Sequence, residues 1–203
     1  MLGVEPRILC LIKNTVLPFY NSLGRSLDRY VRVPVRQNVV YTIQDNKGAV
    51  LQTQLVPIHE KVLQLSERNS ENVEHASSAT VELIFKASLP ALGYASYFVT
   101  TAPVSQENSQ FNEMGASTDM MIGTSMLGLE FDQTTGLITG LLKNNISLPM
   151  TQSYGYYTGD VSSGAYIFTP VNFVSLSNGK VDLTVYKGPL VHEVHQTYSD
   201  PFS

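Results

Sequence analysis

The chain has 203 residues, 43% of them hydrophobic and 15% charged, which is apolar material enough for one large or two modest packed domains and sets wholesale disorder aside. The formal net charge is −4 and the basic residues are scattered singly, so the clustered positive charge of a nucleic-acid binder is absent. Cys10 is the only cysteine, which excludes a disulfide within the chain, and no apolar run approaches the roughly 20 residues of a transmembrane helix.

The first residues carry an apolar patch at Ile8–Ile12 but no basic head, longer apolar stretch or small-residue cleavage site, so no signal peptide is expected here. Helical periodicity is almost missing from the rest of the chain, and short alternating runs take its place. Val31, Val33 and Val35 fall on one face of a strand, opposite Arg32, Pro34 and Arg36. Pro34 cannot donate to a ladder, which predicts an edge strand or a bulge. Val39–Ile43 and Ala49–Val56 read as strands around a hairpin turn at Asp45-Asn46-Lys47-Gly48.

Residues 59–79 are polar around Ser66–Asn72 and read as a solvated, mobile loop. Alternation resumes at Thr80–Lys86, with Val81, Leu83 and Phe85 opposite Glu82, Ile84 and Lys86. Leu89–Gly93 turns the chain into the aromatic run Tyr94–Val99. The stretch from Thr101 to about Thr124, rich in Gln, Asn, Ser and Gly, reads as an interdomain linker. Beyond it, strands are predicted at Leu127–Phe131, Leu137–Lys143, Gln152–Thr158, Ala165–Thr169, Asn172–Leu176, Val181–Lys187 and Leu190–Tyr198, with turns at Asp132–Gly136 and Ser177-Asn178-Gly179. Many short strands punctuated by Gly and Asn turns define an all-β chain built of sandwiches.

Few residues form chemically suggestive patterns. His192-Glu193-Val194-His195 looks like half of a zinc-protease motif, but that motif needs four-residue spacing on a helix. Three-residue spacing on a strand sends the imidazoles to opposite faces, so these are expected to be ordinary strand histidines. Seventeen acidic residues are present, yet none sits in the paired setting a glycosidase requires. Asp160, after Gly159, is expected to be a turn residue. No phosphate loop follows the glycines, and Cys10 has no activating neighbours in sequence. Asn145-Ile146-Ser147 is a complete N-glycosylation sequon. Tyr154, Tyr156, Tyr157 and Tyr166 form a cluster suited either to stacking on sugars or to filling cross-strand positions.

Several segments together resemble the class II α-mannosidases of glycoside hydrolase family 38, most closely the lysosomal type. They are Tyr20-Asn21-Ser22-Leu23-Gly24-Arg25, with Ser22 in place of the usual proline, and Ser88-Leu89-Pro90-Ala91-Leu92-Gly93-Tyr94. Phe131–Leu137, Ser163-Gly164-Ala165-Tyr166-Ile167-Phe168-Thr169-Pro170 and Val194-His195-Gln196 complete the set. The segments occur in the family's order between about Phe19 and Tyr198. The resemblance implies four stretches: an atypical segment 1–18, a small β-sandwich 19–103, a linker 104–124, and part of a larger, galactose mutarotase-like β-sandwich at 125–203. It also implies a parent enzyme that hydrolyses α-linked mannose of N-glycan-type oligosaccharides with retention, through an aspartate nucleophile and a zinc ion held by His and Asp side chains.

In that family the catalytic aspartate and the zinc site belong to regions before the matched stretch, so no catalytic residue and no metal ligand is assigned in this chain. Tyr166 is the one position carried over, as a substrate-binding residue whose phenol meets a mannose hydroxyl; its alternative is a structural strand tyrosine. The implied partners are mannose-containing glycans and an N-terminal catalytic α/β domain, with no nucleic acid and no membrane span. The implied location is lysosomal or secretory. Both ends of the chain are expected to be boundaries of a fragment or a truncated gene model, inactive by itself and prone to aggregate through open strand edges. The alternative is a free-standing carbohydrate-binding β-sandwich.

Overall fold

A computed structural model describes residues 14–64, 78–104, 116–117, 120–124, 126–176 and 180–198. It is nearly all β: sixteen strands and one short helix among the described residues. Two compact units are present. The first holds the described residues up to Val104 together with Gly188–Val191, and the second holds the remainder.

The first unit is a sandwich of two antiparallel sheets. One has the order β1 (Thr15–Asn21), β7 (Gly93–Pro103), β3 (Val39–Gln44), β4 (Val50–Leu51), and the other the order β2 (Leu27–Val35), β6 (Val81–Leu89), β5 (Thr53–Pro57). Val35, Leu55, Leu83 and Phe85 from the second sheet meet Tyr41, Ile43, Tyr97 and Val99 from the first in one core. Phe19, Phe85 and Tyr97 pack edge-on or tilted with ring centroids 5.3 to 6.2 Å apart, a spacing suited to aromatic quadrupoles.

Two buried tyrosines bolt the sheets together. The Tyr97 hydroxyl accepts from the Ser88 N–H at 2.7 Å and donates to the Ser88 carbonyl at 3.0 Å. The Tyr41 hydroxyl does the same with the N–H and carbonyl of Arg36, both at 3.1 Å. Each satisfies backbone groups that would otherwise be left in the interior without partners.

Pro34 lies on β2, the edge of its sheet, as its missing donor requires. The turn Asp45–Gly48 is also as expected: Asp45 Oδ1 accepts from the N–H groups of Lys47 and Ala49, and Gly48 has φ of +80°. Several expectations need correction. Ala49–Val56 is not one strand, because β4 pairs with β3 while β5 crosses to pair with β6.

Ile84 does not face solvent with Glu82 and Lys86 but is 0% exposed. Its register neighbour Gln54 is buried as well, with Oε1 accepting from the N–H groups of Leu190 and Val191 and Nε2 donating to the Val191 carbonyl. The outer face of this sheet is therefore covered, and alternation alone cannot reveal that. The polar stretch after Ile58 contains helix α1 (Glu60–Leu63), capped by His59 Nδ1 accepting from the Lys61 N–H. Ser66–Asn72, Cys10 and Ser177–Gly179 lie outside the described residues.

The first strand begins at Thr15, so Thr15–Pro18, read as atypical sequence, pair with Ser96–Val99 of β7. Within 104–124, read as linker, Ala116–Ser117 form β8 and Met121–Gly123 form β9, both strands of the second unit. That unit contains the sheet β12 (Ile146–Pro149), β11 (Ile138–Lys143), β10 (Leu127–Phe131), β9, and the sheet β16 (His192–Thr197), β15 (Asp182–Lys187), β8. A two-stranded ribbon, β13 (Gly155–Gly159) with β14 (Pro170–Ser175), completes it. Its interior is thinner, with Phe131, Val181 and Val185 buried.

The turn Asp132–Gly136 is tightly made. Asp132 Oδ1 accepts from the N–H groups of Thr134 and Thr135 and from the Thr135 hydroxyl, and Gly136 has φ of +71°. A Cβ at Gly136 would lie 2.5 Å from the Val181 carbonyl oxygen, which only glycine avoids.

Candidate functional site

The ribbon β13–β14 carries the segment Ser163–Pro170 that dominates the sequence reading. Its ladder runs from Gly155↔Ser175 to Gly159↔Pro170 and then stops. Beyond it, side chains replace strand pairing. The Asp160 N–H donates to the Thr169 carbonyl at 3.1 Å. The Ser163 hydroxyl accepts from the Thr169 N–H at 3.1 Å and donates to the Thr169 carbonyl at 3.3 Å, tying the two sides of the loop. Asp160 Oδ1 accepts from the Ser162 N–H at 2.8 Å and from the hydroxyls of Ser162 and Ser163.

These bonds, the Ser162 hydroxyl first, hold the Asp160 carboxyl below the ordinary aspartate range. A Cβ at Gly159 would lie 2.6 Å from Ser163 Oγ and 2.8 Å from its Cβ, so any larger residue there would displace the serine.

At the tip, the Gly164 N–H donates to the Ile167 carbonyl at 2.8 Å, closing a turn with Ala165 and Tyr166 at its corners. Ala165–Thr169 is thus not a strand, and Tyr166 is not a strand tyrosine: its side chain is fully exposed at the loop's extremity. The run Ala-Tyr-Ile-Phe has β-forming residues, but its Ile167 carbonyl closes the turn with Gly164, and the N–H and carbonyl of the following Thr169 bond to Ser163 and Asp160. Asp160 is a turn residue, as expected.

Two of the four tyrosines pair with rings outside the group. Tyr157 packs edge-on against its cross-strand partner Phe173 with centroids 5.2 Å apart, and Tyr154 packs against Tyr198 at 4.9 Å. Burial pushes the Tyr198 phenol above its usual range. Neither pair includes Tyr166.

The two histidines lie on opposite faces of β16. His192 Nδ1 accepts from the Gly123 N–H at 3.1 Å, whereas His195 Nε2 meets Glu193 Oε1 at 2.7 Å and stacks edge-on with Tyr186. Among the described residues no group of three His, Cys, Asp or Glu side chains comes together as a metal site. Asn145 stands, exposed, in the two-residue turn between β11 and β12.

Sequence reading passed over the amide pair Gln152–Gln196. Gln152 Nε2 donates to Gln196 Oε1 at 2.7 Å, and Gln196 Nε2 donates to Gln152 Oε1 and to the Gly136 carbonyl. Gln152 Oε1 also accepts from the Ile138 N–H. Paired glutamines 44 residues apart leave no local signal.

Comparison with known proteins adds an independent line. Residues 51–99 match the family model described as "Lysosomal alpha-mannosidase-like, central domain". The chain is 32% identical to the bovine lysosomal alpha-mannosidase over 190 residues, which is 89% of this chain and 17% of that protein. It is 29% identical to the human lysosomal alpha-mannosidase, over 94% of this chain and 19% of the relative. An alpha-mannosidase of Canavalia ensiformis is 30% identical over 92% of this chain and 20% of its own length. The chain thus spans about a fifth of the length of the curated relatives it matches.

Proposed function

Because this chain is a relative of the lysosomal-type α-mannosidases, we propose that it forms a non-catalytic β-domain portion of an enzyme that hydrolyses α-linked mannose from N-glycan-type oligosaccharides. The observation that carries this reading is the Ser163–Pro170 loop. A rigid stem made by Asp160 and Ser163 presents the Tyr166 phenol to solvent, where it can donate or accept one hydrogen bond with a mannose hydroxyl. The partner surfaces in this reading are the mannose-containing glycan and a catalytic α/β domain, and the location is lysosomal or secretory.

Hydrolysis in such an enzyme proceeds with retention, through a covalent glycosyl-enzyme that water then opens. Zinc, where bound in the intact enzyme, helps hold sugar hydroxyls and stabilises charge. The described residues contribute neither nucleophile nor metal ligand to this scheme. Their work is to position Tyr166.

Two measurements test the reading. The 203-residue chain, given an aryl α-mannoside and added zinc, is expected to show no turnover; robust turnover abolished by chelation would overturn it. Grafting residues 163–170 into the aligned stretch of the bovine relative is expected to preserve hydrolysis, and Tyr166→Phe in the graft to lower kcat/KM by about 2- to 10-fold, the worth of one hydrogen bond. Equal kcat/KM for the two grafts would remove Tyr166 from the substrate.

The exposed Tyr157–Phe173 pair favours a second reading, a free-standing sugar-binding module, since an aromatic face can stack on a pyranose. Glycan-array binding by a monodisperse chain, lost on Tyr157→Ala, would select it.

A further inference from the structure

Asn145-Ile146-Ser147 is the only Asn-x-Ser/Thr triplet in the 203 residues. Asn144 and Asn145 have φ of 50° and 63°, the left-handed pair of a two-residue hairpin turn, which pushes their side chains beyond the ends of β11 and β12. This geometry accounts for asparagine at both positions. It makes no demand on Ser147, which lies on the exposed strand β12 and donates its hydroxyl to Glu130 Oε2 at 2.8 Å.

The sheet beside the turn supplies an independent observation. β12 is an edge strand, and all four of its residues are exposed. Leu127, Lys143 and Ile146 are direct partners across β10, β11 and β12, so they share one face of the sheet. Leu148 continues that row two residues on. Leu127, Ile146 and Leu148 are exposed on it, with Leu129 and Leu141 half-buried behind. Open edges are ordinarily blunted by charge or covered; Ile146–Pro149 carries no charged residue.

We propose that Asn145 carries an N-linked glycan and that this glycan covers the apolar row Leu127, Ile146 and Leu148. The donor is a polyprenyl-diphosphate-linked oligosaccharide. Asn145 Nδ2 loses a proton and bonds to C1 of the first sugar, the bond from C1 to the diphosphate oxygen breaks, and the polyprenyl diphosphate leaves with the electron pair. A bulky, hydrated chain anchored at the turn then lies over the edge and shields it.

The test uses the full chain behind a cleavable secretory leader in a eukaryotic host, read in lysate and medium. The expected product loses mobility shift on peptide-N-glycosidase treatment, with Asn145 recovered as aspartate by peptide mass spectrometry. Ser147→Ala abolishes the modification, and Ser147→Thr, which keeps a hydroxyl for Glu130, retains it. Enzymatic removal of the glycan is expected to raise binding of a hydrophobic fluorescent dye at least twofold. Unmodified Asn145 in both fractions overturns the site, and a modified Asn145 with dye binding unchanged on glycan removal overturns the shielding.

Discussion

Replacing Tyr97 by Phe removes one oxygen atom from the centre of the first unit. The ring keeps its packing against Phe19 and Phe85, so the transfer of apolar surface is nearly unchanged. What is lost is the pair of hydrogen bonds to Ser88, at 2.7 and 3.0 Å, beneath a side chain only 4% exposed. Each bond is worth about 1 kcal/mol net, and each backbone group left buried without a partner costs about 1–3 kcal/mol. The two views bracket an expected loss of about 2–6 kcal/mol, a large share of the roughly 5–15 kcal/mol by which domains are stable.

Native-state amide exchange at Phe85, Ala87 and Val99 reads this unit without interference from the other. Those amides are expected to exchange at least about 30-fold faster in Tyr97→Phe. Tyr94→Phe, whose ring is exposed on the same strand, serves as the control and is expected to change nothing. Equal protection in the two variants would refute the idea that the hydroxyl fastens the sheets.

Asn21 is 2% exposed and holds the Tyr20–Arg25 loop against the β6–β7 turn. Its Nδ2 donates to the carbonyls of Arg25 and Pro90, and its Oδ1 accepts from the Leu23 N–H. Asn21→Ala is expected to cost about 2–4 kcal/mol in urea unfolding; a loss below about 0.5 kcal/mol would show the loop stands without it. Asp132 has its folded pKa depressed, first by the Thr135 N–H. Its contribution to stability is therefore present above the ordinary aspartate value of 3.8 and is lost as pH falls through the lower folded value. The gap in urea midpoint between the wild-type chain and Asp132→Asn should close over that acid range, and a gap independent of pH would exclude the carboxylate as its source. Gly136→Ala is expected to destabilise the second unit by about 1–3 kcal/mol, since it meets both a left-handed backbone and the Val181 carbonyl; the thermal midpoint measures it.

The all-β class and most strands were legible because alternation and turn chemistry are local. Pro34 announced an edge, Asp45–Gly48 a hairpin, and Asp132–Gly136 a turn, each through a property of the residues themselves. The failures share a different cause. Ile84 is buried by what lies over Gln54, and that includes a segment more than a hundred residues later. Ala165–Thr169 has strand-forming side chains but pairs with no strand, and Asp160 and Ser163 take up the backbone groups of Thr169 instead.

β12 was not legible because Asn145-Ile146-Ser147 stands out as a sequon, whereas the left-handed turn at Asn144-Asn145 that starts the strand has no glycine to mark it. Of the candidate site, Tyr166 was legible in the tyrosine-rich stretch, and the resemblance gave it a substrate-binding role. Asp160 was legible as a turn residue, whereas nothing local marked Ser163 as the side chain that ties Thr169 across the loop.

The strand pairing of the first unit also sets a schedule for its making. β1 waits for β7, and β2 for β6, in a nested order that closes from the inside outward. A ribosome adding about 5–20 residues per second must synthesise roughly seventy more residues after β1 before its partner exists, which takes about 4–14 s. During that interval Leu17, Phe19, Val31 and Val33 have no sheet to join. That stretch of the nascent chain stays open until β6 and β7 are made, and faster translation through β2 to β6 should shorten its exposure.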